Sequence, residues 1–449
     1  MKNLVFWSVT VAMAGFLFGF DTAVISGADK PIQTLWNTSP LVHGALIMSS
    51  ALWGTVLGAL TGSIPCDRFG RRTTLILVGV LYLVSALGSA LATDPYTFSL
   101  FRFLGGIGVG MSTIVVPAYI TEIAPNQHRG KLVALYQFQL VFGILIAFLS
   151  NYLLSGVISH DWRLMLGVEA IPAAAFLLLV LKVPESPRWL YLFKNKTDQA
   201  KQVLNRLYTE PQEVEAVLQE YKAGLSQTKA KLFSKPFAFS ALLVFLLAFF
   251  NQVSGINFVI YFAPRIFELA GLDTSAALLS STGIGLTNLL FTMLGVYLID
   301  KLGRKPLMLI GSIGYISSLA VIAYAFSHDL GGITIAMFVF AFIASHAVGQ
   351  GAVIWVFIAE IFPSSLRTKG QALGCGTHWV FAAIITLVMP WCLTQFSASG
   401  IFTFFAAMMI LQLLFVLFLM PETKGRSLEV VSDKVDDVEE RGKVEAAVG

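Results

Sequence analysis

Twelve apolar runs, each about 20 residues long, constrain this chain more than any other feature. They fall near residues 4–26, 42–64, 74–93, 97–120, 132–155 and 163–182, then near 237–262, 275–299, 306–327, 332–358, 370–396 and 400–420. A bilayer core about 30 Å thick needs about 20 helical residues per crossing. Barrel strands are about ten residues long and alternate polar with apolar, which these runs do not. The pattern predicts an all-α membrane protein of twelve transmembrane helices, six before a gap and six after it. Spans 10 and 11 hold Gly349, Gly351, Gly374 and Gly376, where those helices could break. Composition agrees, with 56% hydrophobic and 12% charged residues over 449 positions, against about 25% charged in soluble domains. Single soluble cores stop growing near about 250–300 residues, so a soluble enzyme is excluded.

The gap is made of different material. Residues 183–235 hold 15 charged side chains, and Val203, Leu204, Leu207, Val214, Val217, Leu218 and Tyr221 are spaced for short amphipathic helices. The expected organisation is a first bundle over 1–182, a helical linker over 183–235, a second bundle over 236–420 and a charged tail over 421–449. That tail, with 13 charged residues in 29, is expected to fray. Lys2 and the run after it resemble a signal peptide, but no small-residue cleavage site follows, so the run is read as a retained first span. Cys66, Cys375 and Cys392 fit neither a disulfide framework nor a metal spacing.

Basic residues set the orientation. With both termini inside, 26 of the 30 Lys and Arg lie on or beside the cytoplasmic side; only Lys30, Arg163 and Arg265 face out, and Arg102 sits within a span. The halves also repeat. Asp67-Arg-Phe-Gly-Arg-Arg72 recurs as Asp300-Lys-Leu-Gly-Arg-Lys305, Glu122-Ile-Ala-Pro with Arg129 as Glu360-Ile-Phe-Pro with Arg367, and Pro184-Glu-Ser as Pro421-Glu-Thr, at offsets of 233, 238 and 237. A duplicated six-helix unit, related by an axis along the membrane normal, accounts for one recurring offset. Such repeats carry a substrate site near the midplane between the halves.

These motifs resemble the sugar porter family of the major facilitator superfamily over nearly the whole chain. Asp67–Arg72 and Asp300–Lys305 are similar to the superfamily's loop signature. Pro184-Glu-Ser-Pro-Arg188, Pro421-Glu-Thr-Lys-Gly425, Gly19-Phe-Asp21-Thr-Ala-Val-Ile-Ser-Gly27 and Gln252-x-Ser-Gly-x-Asn257 resemble marks of sugar porters. The strongest resemblance is to bacterial proton-coupled pentose and hexose symporters. It implies the major facilitator fold with a short cytoplasmic helical linker, and import of a monosaccharide with a proton by alternating access.

Asp21 and Arg102 each lie inside an apolar span, where a charge costs several kcal/mol unless paired or wet. Physics alone leaves open a permanent salt bridge between spans 1 and 4. The resemblance implies proton coupling, with Glu169 in span 6 as a third member. A sugar asks for neutral donors and acceptors and an aromatic face. Gln137, Asn251, Gln252, Asn257 and Asn288 supply amides within spans, and Trp355 and Trp379 supply rings. A lone amide is as well explained by an interhelical hydrogen bond; the set matches the family's sugar-contacting positions. This chain departs from the family at three points. The paired glutamines of span 7 read Asn251-Gln252, the amide before the span-11 Trp is His378, and the approach to Trp355 lacks its prolines. All three bear on which sugar is carried.

Among the loop charges, Asp67, Arg68, Arg71, Arg72, Glu122, Arg129, Glu185 and Arg188 resemble half of a cytoplasmic gating network. Asp300, Arg304, Glu360, Arg367 and Glu422 provide its counterpart. Positive-inside topology explains the basic residues but not acids at repeated positions among them. Gly105-Gly-Ile-Gly-Val-Gly110 lies within a span and follows no strand, so close helix packing explains it better than nucleotide binding. No phosphate-binding loop, nucleophile–base pair or metal cluster is present in the sequence, so no enzyme, cofactor or nucleic-acid function is expected. The expected setting is the cell membrane, multi-pass, with sugar, proton and lipid as partners of a monomer. Two alternatives stand: a passive uniporter with a structural Asp21–Arg102 pair, and a non-transporting sugar receptor.

Overall fold

The structure, a computed structural model, describes residues 2–208, 210–223, 232–233, 237–362 and 366–425. Its regular elements are helices, with no strand among the described residues, and they group into two compact units, Met1–Gln227 and Thr228–Gly449. Residues 209, 224–231 and 234–236 of the expected linker, and 426–449 of the expected tail, lie outside the described residues. Eleven helices are long and apolar enough to cross a membrane, and a twelfth crossing follows if one pair bent by 42° counts as a single span.

Unit 1 begins with α1 (Lys2–Trp36), α2 (Pro40–His43), a π-helical turn (Gly44–Met48), α3 (Ser50–Thr61) and α4 (Ser63–Phe69). It continues through α5 (Arg71–Leu91), α6 (Pro95–Ile123), α7 (Asn126–Leu154), α8 (Asp161–Gly167) and α9 (Ala170–Val180). Three short helices close it: α10 (Pro187–Leu192), α11 (Thr197–Leu204) and α12 (Pro211–Ala223). In unit 2 come α13 (Ala238–Gln252), α14 (Ile256–Tyr261), α15 (Ala263–Leu269), α16 (Thr274–Leu302) and α17 (Arg304–Ser327). Then follow α18 (Gly332–His346), a second π-helical turn (Ala347–Gly351), α19 (Ala352–Glu360), α20 (Arg367–Gln395) and α21 (Ala398–Phe418).

Local chemistry starts these helices where the chain turns. Asp94 accepts the backbone N–H of Tyr96 and Thr97 at 3.0 Å each, with Pro95 at the first helical position of α6. Asp273 caps α16 through Ala276 and Ser397 caps α21 through Gly400. Glycine then decides how closely the helices meet. A Cβ on Gly19 would run into the Leu140 carbonyl and one on Gly143 into that of Phe16, so α1 and α7 touch backbone to backbone. Gly106 and Gly110 press in the same way on Ala51 and Thr55 of α3, which makes the Gly105–Gly110 run a packing surface.

Three spans that the apolar runs present as continuous are broken. Span 2 bends through its π turn at Gly44–Met48. Span 7 stops at Gln252 and restarts at Ile256 through Gly255, whose φ of +85° favours glycine. Span 10 yields at Ala347–Gly351, where Gly349 abuts Gly311 of α17, whereas span 11 runs unbroken through Gly374 and Gly376 as α20. Gly374 instead makes room for Ile358.

The described part of the linker folds onto unit 1. Leu204, Val214, Leu218 and Tyr221 bury one another against Tyr191, Leu192, Tyr208 and Val217. Trp189 Nε1 donates to the Asp67 carbonyl at 2.9 Å, and Tyr221 Oη to that of Glu122 at 3.0 Å.

Candidate functional site

In unit 1, α1 carries Asp21 and α6 carries Arg102 into the interior, 3% and 2% exposed. The guanidinium holds Asp21 at two points. Nη1 donates to the carboxylate, and Nη2 donates to the Asp21 backbone carbonyl at 3.1 Å. Glu169, 2% exposed at the step between α8 and α9, interacts with both. Its Oε1 is buried without a hydrogen-bond partner. One guanidinium can balance one carboxylate, so the three groups together are neutral when the two acids share one proton. Tyr82, fully buried on α5, faces the same acids, and Ser112 and Tyr136 approach each other at 3.5 Å beside it. Hydropathy conceals these hydroxyls; only a tyrosine placed inside an apolar span hints at them. Gln137, half-buried on α7, makes no hydrogen bond among the described residues.

In unit 2 the break in span 7 gathers the amides. Asn251 and Gln252 end α13, and Asn257 opens α14. Helix ends inside a membrane leave backbone groups to satisfy; Ser254 Oγ serves one by donating to the Asn251 carbonyl at 2.6 Å. Gln252, fully buried, accepts from Asn257 Nδ2 at 2.8 Å and donates to Asn251 Oδ1 at 2.9 Å. The ring nitrogens of His378 on α20 lie 3.0 and 3.2 Å from its Nε2. Trp355 and Trp379 flank His378, with ring centroids at 5.1 and 4.7 Å. The structure thus joins Asn251, Gln252, Asn257, Trp355, His378 and Trp379. Asn288 stands apart on α16, where its Oδ1 accepts from Thr292 at 3.3 Å.

Two further polar groupings escape a reading of the sequence. Tyr315 of α17 hydrogen-bonds His346 at the end of α18, and Gln350 in the π turn hydrogen-bonds Gln412 of α21, which donates to Ser312 at 2.9 Å. Tyr261 lies one turn beyond Asn257 on α14 and is equally buried.

The loop charges form a matching network in each unit. Arg71 makes two bonds of 3.0 Å to the Glu122 carboxylate and one of 3.4 Å to Asp67. Arg304 likewise holds Glu360 at 2.9 and 2.6 Å and Asp300 at 3.3 Å. Ser186 donates to Glu122 at 2.5 Å, and Thr423 to Glu360 at 2.6 Å. Arg72 donates instead to the Leu181 carbonyl at 2.6 Å. Arg68, Arg129, Arg188 and Arg367 stand outside these ion pairs, Arg188 lying over the Tyr221 ring and Arg68 over that of Phe69.

Each network also caps a helix. Glu185 accepts the backbone N–H groups of Arg71 and Arg72 at 2.8 and 3.1 Å, starting α5. Glu422 accepts those of Arg304 and Lys305 at 3.0 and 2.9 Å, starting α17. Both place negative charge at the positive end of a helix, yet they titrate in opposite senses. Burial pushes Glu185 above its ordinary range, and the N–H groups of Ser186, Arg72 and Arg71 only partly offset that. Burial acts the same way on Glu422, but the N–H groups of Lys424, Arg304, Lys305 and Thr423 outweigh it and hold the carboxyl low. Glu422 therefore stabilises the fold above the unfolded carboxylate value and loses that contribution as pH falls through its lower folded value. Glu185 contributes in acid and loses its contribution as pH rises through its raised folded value. Glu422→Gln is expected to lower the melting temperature near about pH 7 and much less below about pH 4. Glu185→Gln is expected to cost less near neutrality. Melting of purified protein in detergent checks both, and losses independent of pH would contradict the assignment.

Comparison with known proteins follows this geometry. The family model described as "Sugar (and other) transporter" matches residues 7–434. The D-xylose-proton symporter of Escherichia coli (strain K12) is 34% identical, with 94% of both chains covered. The arabinose-proton symporter of Bacillus subtilis (strain 168) is 36% identical, over 96% of this chain and 95% of that one. A structure of the xylose transporter XylE from E. coli, in a partially occluded inward open conformation, superposes with a TM-score of 0.86 at 32% identity. It covers 95% of this chain and all of that one.

Proposed function

Because this chain belongs to the sugar transporter family, we propose that it imports a monosaccharide, pentose or hexose, together with a proton. It is a multi-pass membrane protein working by alternating access, with both termini cytoplasmic and the monomer as the functional unit. The observation that carries the coupling is the Asp21–Arg102 pair, held at two points and shut away from solvent.

A proton arriving on Asp21 cancels its charge and leaves Arg102 with only a main-chain carbonyl to hold. Breaking a buried pair by removing one partner costs about 3–5 kcal/mol. Inverting a two-state preference from 1:99 to 99:1 takes about 5.5 kcal/mol. The proton therefore acts on the scale that switching between outward and inward states requires. Glu169, charged beside the same guanidinium, offers a second resting place for it. The sugar meets Gln252 and Asn257, with Gln137, Asn251, Asn288, Trp355, His378 and Trp379 as the other members of the binding set.

Uptake of labelled xylose, arabinose and glucose into proteoliposomes, with and without an imposed pH gradient, tests this. Accumulation driven by an alkaline interior is expected for at least one of them. Uptake indifferent to the gradient would make the protein a uniporter, and no uptake would remove the sugar assignment.

The loop networks are proposed to latch the inner gate. Single exposed ion pairs are worth about 0–1 kcal/mol, so losses must be combined to be seen. Arg129→Ala with Arg367→Ala is expected to raise thiol labelling of a cysteine introduced at the cytoplasmic vestibule and to slow net transport. Unaltered labelling in a folded double variant would reduce these residues to topology signals.

A further inference from the structure

Counting donors at Gln252 carries the binding assignment a step further. An amide nitrogen has two hydrogens and no lone pair to offer, and an amide oxygen has two lone pairs. One hydrogen of Nε2 goes to Asn251 Oδ1 at 2.9 Å and the other to His378, whose ring nitrogens lie at 3.0 and 3.2 Å. Since Nε2 can only donate, the imidazole nitrogen that receives it is the unprotonated one. Oε1 accepts from Asn257 Nδ2 at 2.8 Å and keeps one lone pair. Resting on the sugar site proposed above, we propose that Gln252 meets the sugar as an acceptor only, because Asn251 and His378 consume both of its N–H groups.

The surroundings keep the amide this way round. Turned over, its oxygen would face Asn251 Oδ1 and its nitrogen would face Asn257 Nδ2, so both neighbours would have to turn with it. The two positions where this chain departs from a paired-amide pattern, Asn251 and His378, thus converge on one group. Asn251 is too short to reach past its neighbour and bonds it instead. An amide at position 378 would follow Gln252 in either orientation, whereas an imidazole braced between Trp355 and Trp379 offers one acceptor and stays put. His378 is a positioning residue, and the sugar hydroxyl that reaches Gln252 must be a donor.

The test uses monodeoxy and monodeoxyfluoro analogues of xylose, arabinose and glucose, with binding to purified protein followed by tryptophan fluorescence or calorimetry. Carbon-bound fluorine cannot donate. At one ring position the fluoro analogue is therefore expected to bind as weakly as the deoxy analogue, both about tenfold or more below the parent sugar. In His378→Phe, which frees one Nε2 hydrogen, the fluoro analogue at that position should outbind the deoxy analogue several-fold. His378→Gln, able to accept again, should restore the wild-type pattern. Wild-type protein that prefers the fluoro to the deoxy analogue at every position overturns the proposal without recourse to a variant. Identical patterns in wild type and His378→Phe overturn it as well. Failure of all three parent sugars to bind is a different result, and it overturns the sugar assignment on which this one rests.

Discussion

Replacing Asp21 by Asn abolishes uphill sugar accumulation while leaving equilibrium sugar binding near the wild-type value. Asparagine keeps the shape of the carboxylate and one of its acceptors, so Arg102 retains a hydrogen bond and the main-chain contact at 3.1 Å. What it loses is the charge that comes and goes with the proton. A buried Arg102 without a titrating partner costs the same in the empty and the sugar-loaded protein, so a pH gradient has nothing to act on. Exchange of labelled sugar between equal pools should survive, because it needs no proton to be carried. The measurement is pH-driven uptake beside counterflow in the same proteoliposomes. Undiminished accumulation in Asp21→Asn would leave the pair as the structural salt bridge that physics alone allows. Glu169→Gln is the informative companion, since Glu169 interacts with both members of the pair.

The second large effect belongs to Gln252→Ala, which is expected to weaken sugar binding by about 30-fold or more, or about 2 kcal/mol. Truncation removes an acceptor from the sugar and strands Asn251 Oδ1, Asn257 Nδ2 and a His378 nitrogen. A buried donor or acceptor left unmet costs about 1–3 kcal/mol. Part of that cost falls on the empty protein, so a modest drop in melting temperature accompanies the loss. The loss of affinity should be the larger change, since a site built to pair a hydroxyl rejects a ligand it can no longer pair. Binding unchanged within error in a folded variant would move the site away from this amide.

Much of the fold is legible along the chain because the bilayer imposes a local rule. A crossing needs about 20 apolar residues in a row, and contiguity is something a sequence displays directly. The same holds for repeated motifs such as Asp67–Arg72 and Asp300–Lys305, and for basic residues that mark one side of the membrane. Burial of Asp21 and Arg102 follows from a similarly local fact, a charge surrounded by apolar neighbours. The breaks are harder to read. Gly374 looks as able to interrupt a helix as Gly349, yet α20 is continuous while span 10 gives way. Gly349 faces another glycine, Gly311, and Gly374 faces Ile358; which neighbour a glycine meets is a matter of packing.

Sequence alone determined twelve apolar spans in two related sets of six, a pair of opposite charges inside the first set, and a group of amides and tryptophans in the second. Each of these depends on residues close together in the chain or on a motif repeated along it. The tertiary structure alone decided the partners. It chose Arg71 and Arg304, out of seven candidate arginines in the loops, to hold Glu122 and Glu360. It split span 7 so that Asn257 turns back onto Gln252, and it brought His378 from 126 positions away to take the remaining hydrogen of that amide. A hydrogen bond is decided within a few tenths of an ångström. Where two helices cross to that tolerance depends on every side chain between them, and no periodicity along one strand of sequence carries that information.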